Sequence, residues 1–301
     1  MVSFSKGQTK QKKPARRKTM IKIFTDSAAN IPKAICDELQ ISVVPFYYNM
    51  DGKEVCCEDE EFDGKKFYDA LRAGSVVKTS MINETLFAER FEDALDKGFD
   101  VLYIGMSGGV SGTFFAASSA ARDLRERYPY RKIETVNTRG ASLGEGLIVI
   151  EAAKRLLEND NFDELAEYVK ELCERLCQYF TVEDLRHLRR SGRISGAAAV
   201  VGSLLGICPI LKGNENGEIV LSDKVRGRKR ALAYLAERWE KLGGKKDGLI
   251  AIAHSDNDEG CEYLLSKLRG KGFCGKCITA CYEPVTGSHV GPGTVALFFF
   301  K

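Results

Sequence analysis

Val101-Leu102-Tyr103-Ile104-Gly105-Met106-Ser107-Gly108-Gly109-Val110-Ser111-Gly112-Thr113-Phe114-Phe115-Ala116-Ala117 runs from an apolar stretch, through a turn rich in glycine and hydroxyls, into a segment rich in alanine. That order is strand, tight turn, helix. The first turn of such a helix carries unpaired backbone N–H groups and a partial positive charge, so an anion can bind there. The hydroxyls of Ser107, Ser111 and Thr113 add neutral donors beside it. Lys78-Thr79-Ser80 reads as a second hydroxyl-rich turn of the same character.

The same alternation extends to both sides. Ile21 to Thr25 is a short apolar strand closing on Asp26-Ser27, and Pro32 to Leu39 suits a helix opened by proline. Ile41 to Tyr48 reads as a second strand, Asp51-Gly52 as a turn and Asp63 to Ala73 as a helix. Phe87, Phe91 and Leu95 recur every four residues and place one apolar face on a helix. Ile133 to Val136 and Gly144 to Glu158 continue the pattern as strand and helix. This predicts an α/β domain with a mainly parallel sheet flanked by helices, whose ligands bind beyond the carboxyl ends of the strands. The second half has apolar strands near 180–182, 210–211, 217–221, 249–253, 277–282 and 295–300, with helices near 227–242 and 259–270. It predicts a C-terminal α/β domain with a mixed or antiparallel sheet. The expected organisation is a basic disordered tail at 1–19, an N-terminal domain at 20–160 and a C-terminal domain at 161–301.

The 301 residues are 44% hydrophobic and 29% charged, values of a soluble globular protein. The longest uncharged run, Ile194 to Leu211, spans 18 residues and grazes the length of a membrane span. Gly196, Gly202, Gly206 and Pro209 make it read as a buried turn and helix instead. The N-terminus shows no apolar stretch of a signal peptide, so the cytoplasm is the expected compartment. Seven of the 45 Lys and Arg lie in residues 1–19, which hold no acid, leaving 38 basic against 42 acidic residues in the body. The tail reads as solvated, and no nucleic-acid partner is expected. Ten cysteines without a secretory signal are expected to be reduced thiols. Cys274-x-x-Cys277-x-x-x-Cys281 lacks the matching pair that a zinc site wants, so no metal is expected.

The chain lacks G-x-x-x-x-G-K-[ST] and G-x-G-x-x-G, the loops that cradle nucleotide phosphates. Ser107 or Ser111 with His289 would suit a Ser/His-dependent acyl ester hydrolase, but no G-x-S-x-G elbow is read in the chain, which argues against hydrolysis. His289 lies in Gly287-Ser288-His289-Val290-Gly291-Pro292-Gly293, which reads as a loop whose three glycines allow close approach of a ligand.

Several stretches occur together in one order and spacing: Thr25-Asp26-Ser27-Ala28-Ala29, Val43-Val44-Pro45, Lys78-Thr79-Ser80, Ser107 to Thr113, Leu188-Arg189-Arg190-Ser191-Gly192-Arg193-Ile194, Pro209-Ile210-Leu211, Lys224-Val225-Arg226 and Gly287 to Gly293. From about residue 20 to its end the chain thereby resembles the DegV family of fatty-acid-binding proteins, which includes the binding subunits of bacterial fatty acid kinase. The resemblance implies a carrier and not an enzyme. It implies one long-chain fatty acid as ligand and no cofactor, with the acyl chain in a tunnel between the domains and the carboxylate at Thr79 and Ser111. Supporting contacts are expected from Ser80, Ser107, Gly112, Thr113 and His289. Arg226 and His289 match positions near the exposed head group, where a separate ATP-dependent kinase would make an acyl phosphate for phospholipid synthesis. Transient contact with a membrane surface is a further expectation. The small residues Ala197, Ala198, Ala199, Gly202 and Gly206 are expected to leave room for a chain. Met81, Cys208 and Asn137-Thr138 depart from the family pattern, which usually has glutamine, lysine and Asp-Ser there.

Overall fold

The structure, a computed structural model, describes residues 20–57, 62–194 and 206–301. The basic tail and the run from Ala197 to Gly202 therefore lie outside the described residues.

The chain begins with β1 (Met20–Asp26), α1 (Lys33–Glu38), β2 (Ser42–Val44), β3 (Tyr47–Met50), β4 (Lys53–Cys56), α2 (Gly64–Arg72) and β5 (Val77–Ser80). It continues through α3 (Glu84–Asp96), β6 (Phe99–Gly105), α4 (Thr113–Arg127), β7 (Ile133–Asn137), α5 (Leu143–Glu158) and α6 (Phe162–Arg175). β1, β2, β6 and β7 form a wholly parallel sheet in the order β2-β1-β6-β7. Val101 to Gly105 in β6 is buried at every position, as a central parallel strand covered on both faces must be. Phe87, Phe91 and Leu95 of α3 pack on one face with α4, and α6 packs on the other.

The predicted strand Ile41 to Tyr48 is two strands in two sheets. Pro45 has no amide to continue the ladder, and the Phe46 amide bonds to Ser27 Oγ at 3.0 Å instead. β3 then starts a small antiparallel sheet, ordered β4-β3-β5, in which Tyr48 pairs with Thr79. Lys78-Thr79-Ser80, read from sequence as a turn, is thus a strand. Its alternation leaves Thr79 half-buried and Lys78 and Ser80 exposed.

The remaining elements are β8 (Leu176–Thr181), α7 (Arg186–Arg190), β9 (Ile207–Gly213), β10 (Ile219–Arg226), α8 (Arg228–Lys241), β11 (Leu249–His254), α9 (Asp258–Gly270), β12 (Lys276–Cys281), α10 (Pro284–Val290) and β13 (Val295–Phe300). The six-stranded sheet runs β10-β9-β8-β13-β11-β12 and is antiparallel except for the β11–β12 pair. α8 and α9 cover one face. α5 covers the other and also packs on the first sheet, so it lies between the two sheets and is buried on all sides from Leu143 to Ile150.

Gly287 to Gly293 is also not simply a loop. Its first half is the end of α10, capped at its start by the Glu283 carboxylate. Gly287 is required there because a Cβ would stand 2.0 Å from the Tyr68 hydroxyl.

Candidate functional site

The carboxyl end of β6, the inward face of β5, α10 and the segment from Leu188 to Arg193 enclose a cavity of about 250 Å³. Phe46, Met106, Leu188, Ile219, Val285 and Val290 give it apolar walls. Thr79, Ser80, Ser111, Gly112, Thr286, His289 and Arg193 bring the polar groups. Thr79 and Ser111, separated by 32 positions, meet here because β5 and the turn after β6 end at the same place.

Thr79 Oγ1 lies 2.9 Å from His289 Nε2. Burial, and then the guanidinium groups of Arg193 and Arg190, push the His289 pKa down to about 4, so the ring is neutral at physiological pH. Ser111 Oγ donates to Thr113 Oγ1 at 3.0 Å and accepts from the Thr113 amide at 3.3 Å. Thr113 itself is fully buried, and its hydroxyl accepts the Ile82 amide at 3.2 Å. Thr113 therefore holds the connection after β5 to the start of α4 and is not among the cavity-lining residues.

Ser107 is also occupied elsewhere. Its hydroxyl donates to Gly217 O at 2.8 Å and accepts from the Gly109 amide at 3.1 Å, fastening the β9–β10 hairpin to the turn. A Cβ on Gly109 would lie 2.5 Å from Asn216 O, so only glycine admits that hairpin. Asn137 Oδ1 accepts the Gly108 and Arg139 amides, steadying the same turn. Arg226 is exposed at the end of β10 and does not line the cavity. The arginines beside His289 are Arg190 and Arg193, and Arg193 Nε donates to Val110 O at 3.3 Å.

Neither Ser107 nor Ser111 hydrogen-bonds a histidine, which removes the dyad expected of a hydrolase built on them. Gly140-Ala141-Ser142-Leu143-Gly144, which the sequence reading passed over, is a G-x-S-x-G pentapeptide. Ser142 has the strained φ of 53° and ψ of −142° at a strand-to-helix turn. Its hydroxyl meets the Asn30 amide at 3.4 Å, and no histidine is bonded to it.

Sequence reading also missed Thr286 and Arg193 as lining residues, and three buried acids behind the cavity wall. The signal for Thr286 was its spacing three residues before His289, which reading a loop concealed. Asp26 Oδ1 accepts the Ala28 amide, and its Oδ2 accepts the Tyr103 hydroxyl at 2.7 Å and the Met106 amide at 3.3 Å. Glu145 accepts the Thr25 hydroxyl at 2.8 Å through Oε1. Burial holds Asp26 up at about 6 and Glu283 at about 7, and raises Glu145 well above the carboxylate range. Glu145 was visible as a lone acid in an apolar helix.

Among the described residues no cluster of His, Cys, Asp and Glu suits a metal, and no helix is long and apolar enough to cross a membrane.

The family model described as "Uncharacterised protein, DegV family" matches residues 20–301. A DegV domain-containing protein of Clostridium perfringens is 40% identical over 279 residues, covering 92% of this chain and 96% of that protein. A solved DegV family protein of Thermus thermophilus, named for its fatty acid binding, superposes with a TM-score of 0.86 at 27% identity, over 94% of this chain and all of that one. DegV of Bacillus subtilis, named as a fatty acid binding protein, gives 0.81 at 28%, over 94% of this chain and 100% of its own.

Proposed function

This chain belongs to the DegV family, and from that premise we propose that it binds one long-chain fatty acid, carboxylate toward Thr79 and Ser111 and acyl chain along the apolar wall. The observation that carries the reading is the cavity itself: hydroxyls and a neutral imidazole at one side, aliphatic and aromatic side chains over the rest. An acyl chain supplies most of the affinity, about 0.8 kcal/mol per buried methylene, or on the order of 10 kcal/mol gross for fourteen. Charge-assisted hydrogen bonds to the carboxylate add about 1.5–3 kcal/mol each. The 250 Å³ cavity falls just below the size of small-molecule pockets, about 300–1,000 Å³. Met81 and Met106, unbranched and adaptable, are the lining residues that shift to lengthen it.

The protein in this reading is a carrier in the cytoplasm that presents the head group to a separate ATP-dependent fatty acid kinase, which forms the acyl phosphate. Arg226 and His289 are the proposed partner contacts, joined by Arg190. The exposed Met81 and Phe115, near the Ser111 turn, and the exposed Arg189 and Arg190 suit transient contact with an anionic membrane surface during loading. A hydrolytic reading is weaker on physical grounds. A Ser/His mechanism needs the imidazole to take a proton, and burial with two neighbouring arginines opposes that.

Organic extraction of the purified protein followed by mass spectrometry tests the reading. One fatty acid per chain is expected, and a protein that is empty and fails to take up added fatty acid overturns it.

A further inference from the structure

Glu283 is 8% exposed and caps α10, with Oε1 accepting the Thr286 amide at 2.7 Å and Oε2 the Val285 amide. Both residues whose amides it holds line the cavity. The Thr286 hydroxyl is buried, also belongs to the lining and lies beside the Glu283 carboxyl, whose ionised form it favours. On its other sides Glu283 faces Asp26 of β1, Glu145 of α5, Cys57 after β4, Tyr68 of α2 and the adjacent Tyr282. None of these is a cation, although Glu283 and Asp26 also line a second cavity, of about 1090 Å³, whose walls include Lys22, Lys33, Arg90 and Lys97. The arginines of the site, Arg190 and Arg193, act on His289, and Arg193 lines the cavity with it. Asp26 in turn holds the Met106 amide, and Met106 is a wall residue as well.

A fatty-acid carboxylate arriving at Thr79 and Ser111 would thus stand near three buried acids, Glu283, Asp26 and Glu145. Ionised, they repel it through a medium that screens poorly. We propose that the fatty acid is bound together with one proton, that Glu283 keeps this proton behind the head-group pocket, and that the Thr286 hydroxyl joins the carboxyl to the cavity. This rests on the fatty-acid reading above. The step balances without another reactant: the O–H bond of the neutral fatty acid breaks, an O–H bond forms on the Glu283 carboxylate, and the negative charge moves to the ligand, where Thr79 can donate to it, and Ser111 also once its proton turns from Thr113 Oγ1. Burial raises Glu283 from the carboxylate range to about 7, so it can take up a proton near neutrality where an ordinary carboxylate cannot. A carrier loaded in this way takes the neutral acid, the form that partitions into apolar surroundings, and delivers a carboxylate.

Hexadecanesulfonate separates the protein's proton from the ligand's, because a sulfonate stays ionised. Titration calorimetry of the whole protein at pH 7.5, in two buffers of different ionisation enthalpy, reads the protons taken up. About half a proton or more per ligand is expected, with affinity rising about threefold or more from pH 8.5 to pH 6.5. Glu283→Gln, which keeps one acceptor for the cap, is expected to bind without proton uptake. Thr286→Val reduces uptake and Thr286→Ser retains it. Binding by wild type with no proton uptake and a flat pH profile overturns the proposal without recourse to any variant. Absence of binding by both sulfonate and fatty acid overturns the fatty-acid reading itself, and this proposal with it.

Discussion

Thr79 Oγ1 and His289 Nε2 are 2.9 Å apart across 210 positions of sequence, one on an edge strand and the other on the last turn of a short helix. A hydroxyl has one proton. If Thr79 is to donate it to a carboxylate, His289 must present N–H at Nε2 and not accept there. Ring nitrogen NMR on the loaded protein is expected to show the neutral Nε2–H tautomer. Thr79→Val is expected to weaken fatty-acid binding by about tenfold or more, the loss of one charge-assisted hydrogen bond. Unchanged affinity in Thr79→Val combined with Ser111→Ala would remove both residues from the site.

Ser107 and Ser111 sit in one turn and look equivalent in sequence, yet they serve different ends. Ser107→Ala leaves Gly217 O without its donor in a buried place, a loss of about 1–3 kcal/mol of stability. Fatty-acid stoichiometry should stay at that of wild type. Ser111→Ala is expected to do the reverse, leaving the melting temperature within a few degrees and lowering affinity. Thermal melts and binding titrations on the two variants check the contrast, and equal effects on both quantities would refute it.

Strand–helix alternation made the parallel sheet legible, because β1, β6 and β7 are short apolar runs separated by amphipathic helices. The turn after β6 was legible for the same reason, and with it Ser111. Thr79 was legible as a residue but not as a strand. Val77-Lys78-Thr79-Ser80 is too short and polar to announce itself, and it is extended because Tyr47 to Met50, thirty residues earlier, pairs with it. α10 was hidden by its composition, since Pro284-Val285-Thr286-Gly287-Ser288 has poor helix propensity. The Glu283 cap and the close contact of Gly287 with Tyr68 override that propensity, and both are tertiary facts. The buried acids escaped notice because sequence shows charge but not burial.

The G-x-S-x-G pentapeptide makes a prediction of its own. Gly140 and Gly144 are needed for packing, since a Cβ would stand 2.9 Å from Leu176 and 2.8 Å from Phe298. Ser142 has the strained backbone of an elbow but is 1% exposed, and its hydroxyl accepts from Asn30 Nδ2. It is therefore expected to be inert to a fluorophosphonate probe. Ser142→Gly, which relieves a positive φ, should leave the melting temperature unchanged or higher, whereas Ser142→Val should lower it. Covalent labelling at Ser142 would revive the hydrolytic reading.

Glu145 offers the sharpest test of the buried acids as a stability element. Its side chain is fully buried, Oε2 has no partner, and burial and then the neighbouring Asp26 push its pKa well up. The folded chain therefore binds a proton here that the unfolded chain releases once pH passes the ordinary glutamate range, about 4.3. Where the native state holds more protons than the unfolded state, stability falls as pH rises. The contribution is complete at acid pH and is lost progressively until the pH reaches the raised pKa of the folded state. Glu145→Gln keeps the acceptor for Thr25 and has no proton to lose. Its melting temperature relative to wild type should therefore climb steadily from pH 5 to pH 8.5, and a difference that is flat or falls across that range would mean that Glu145 is ionised in the fold.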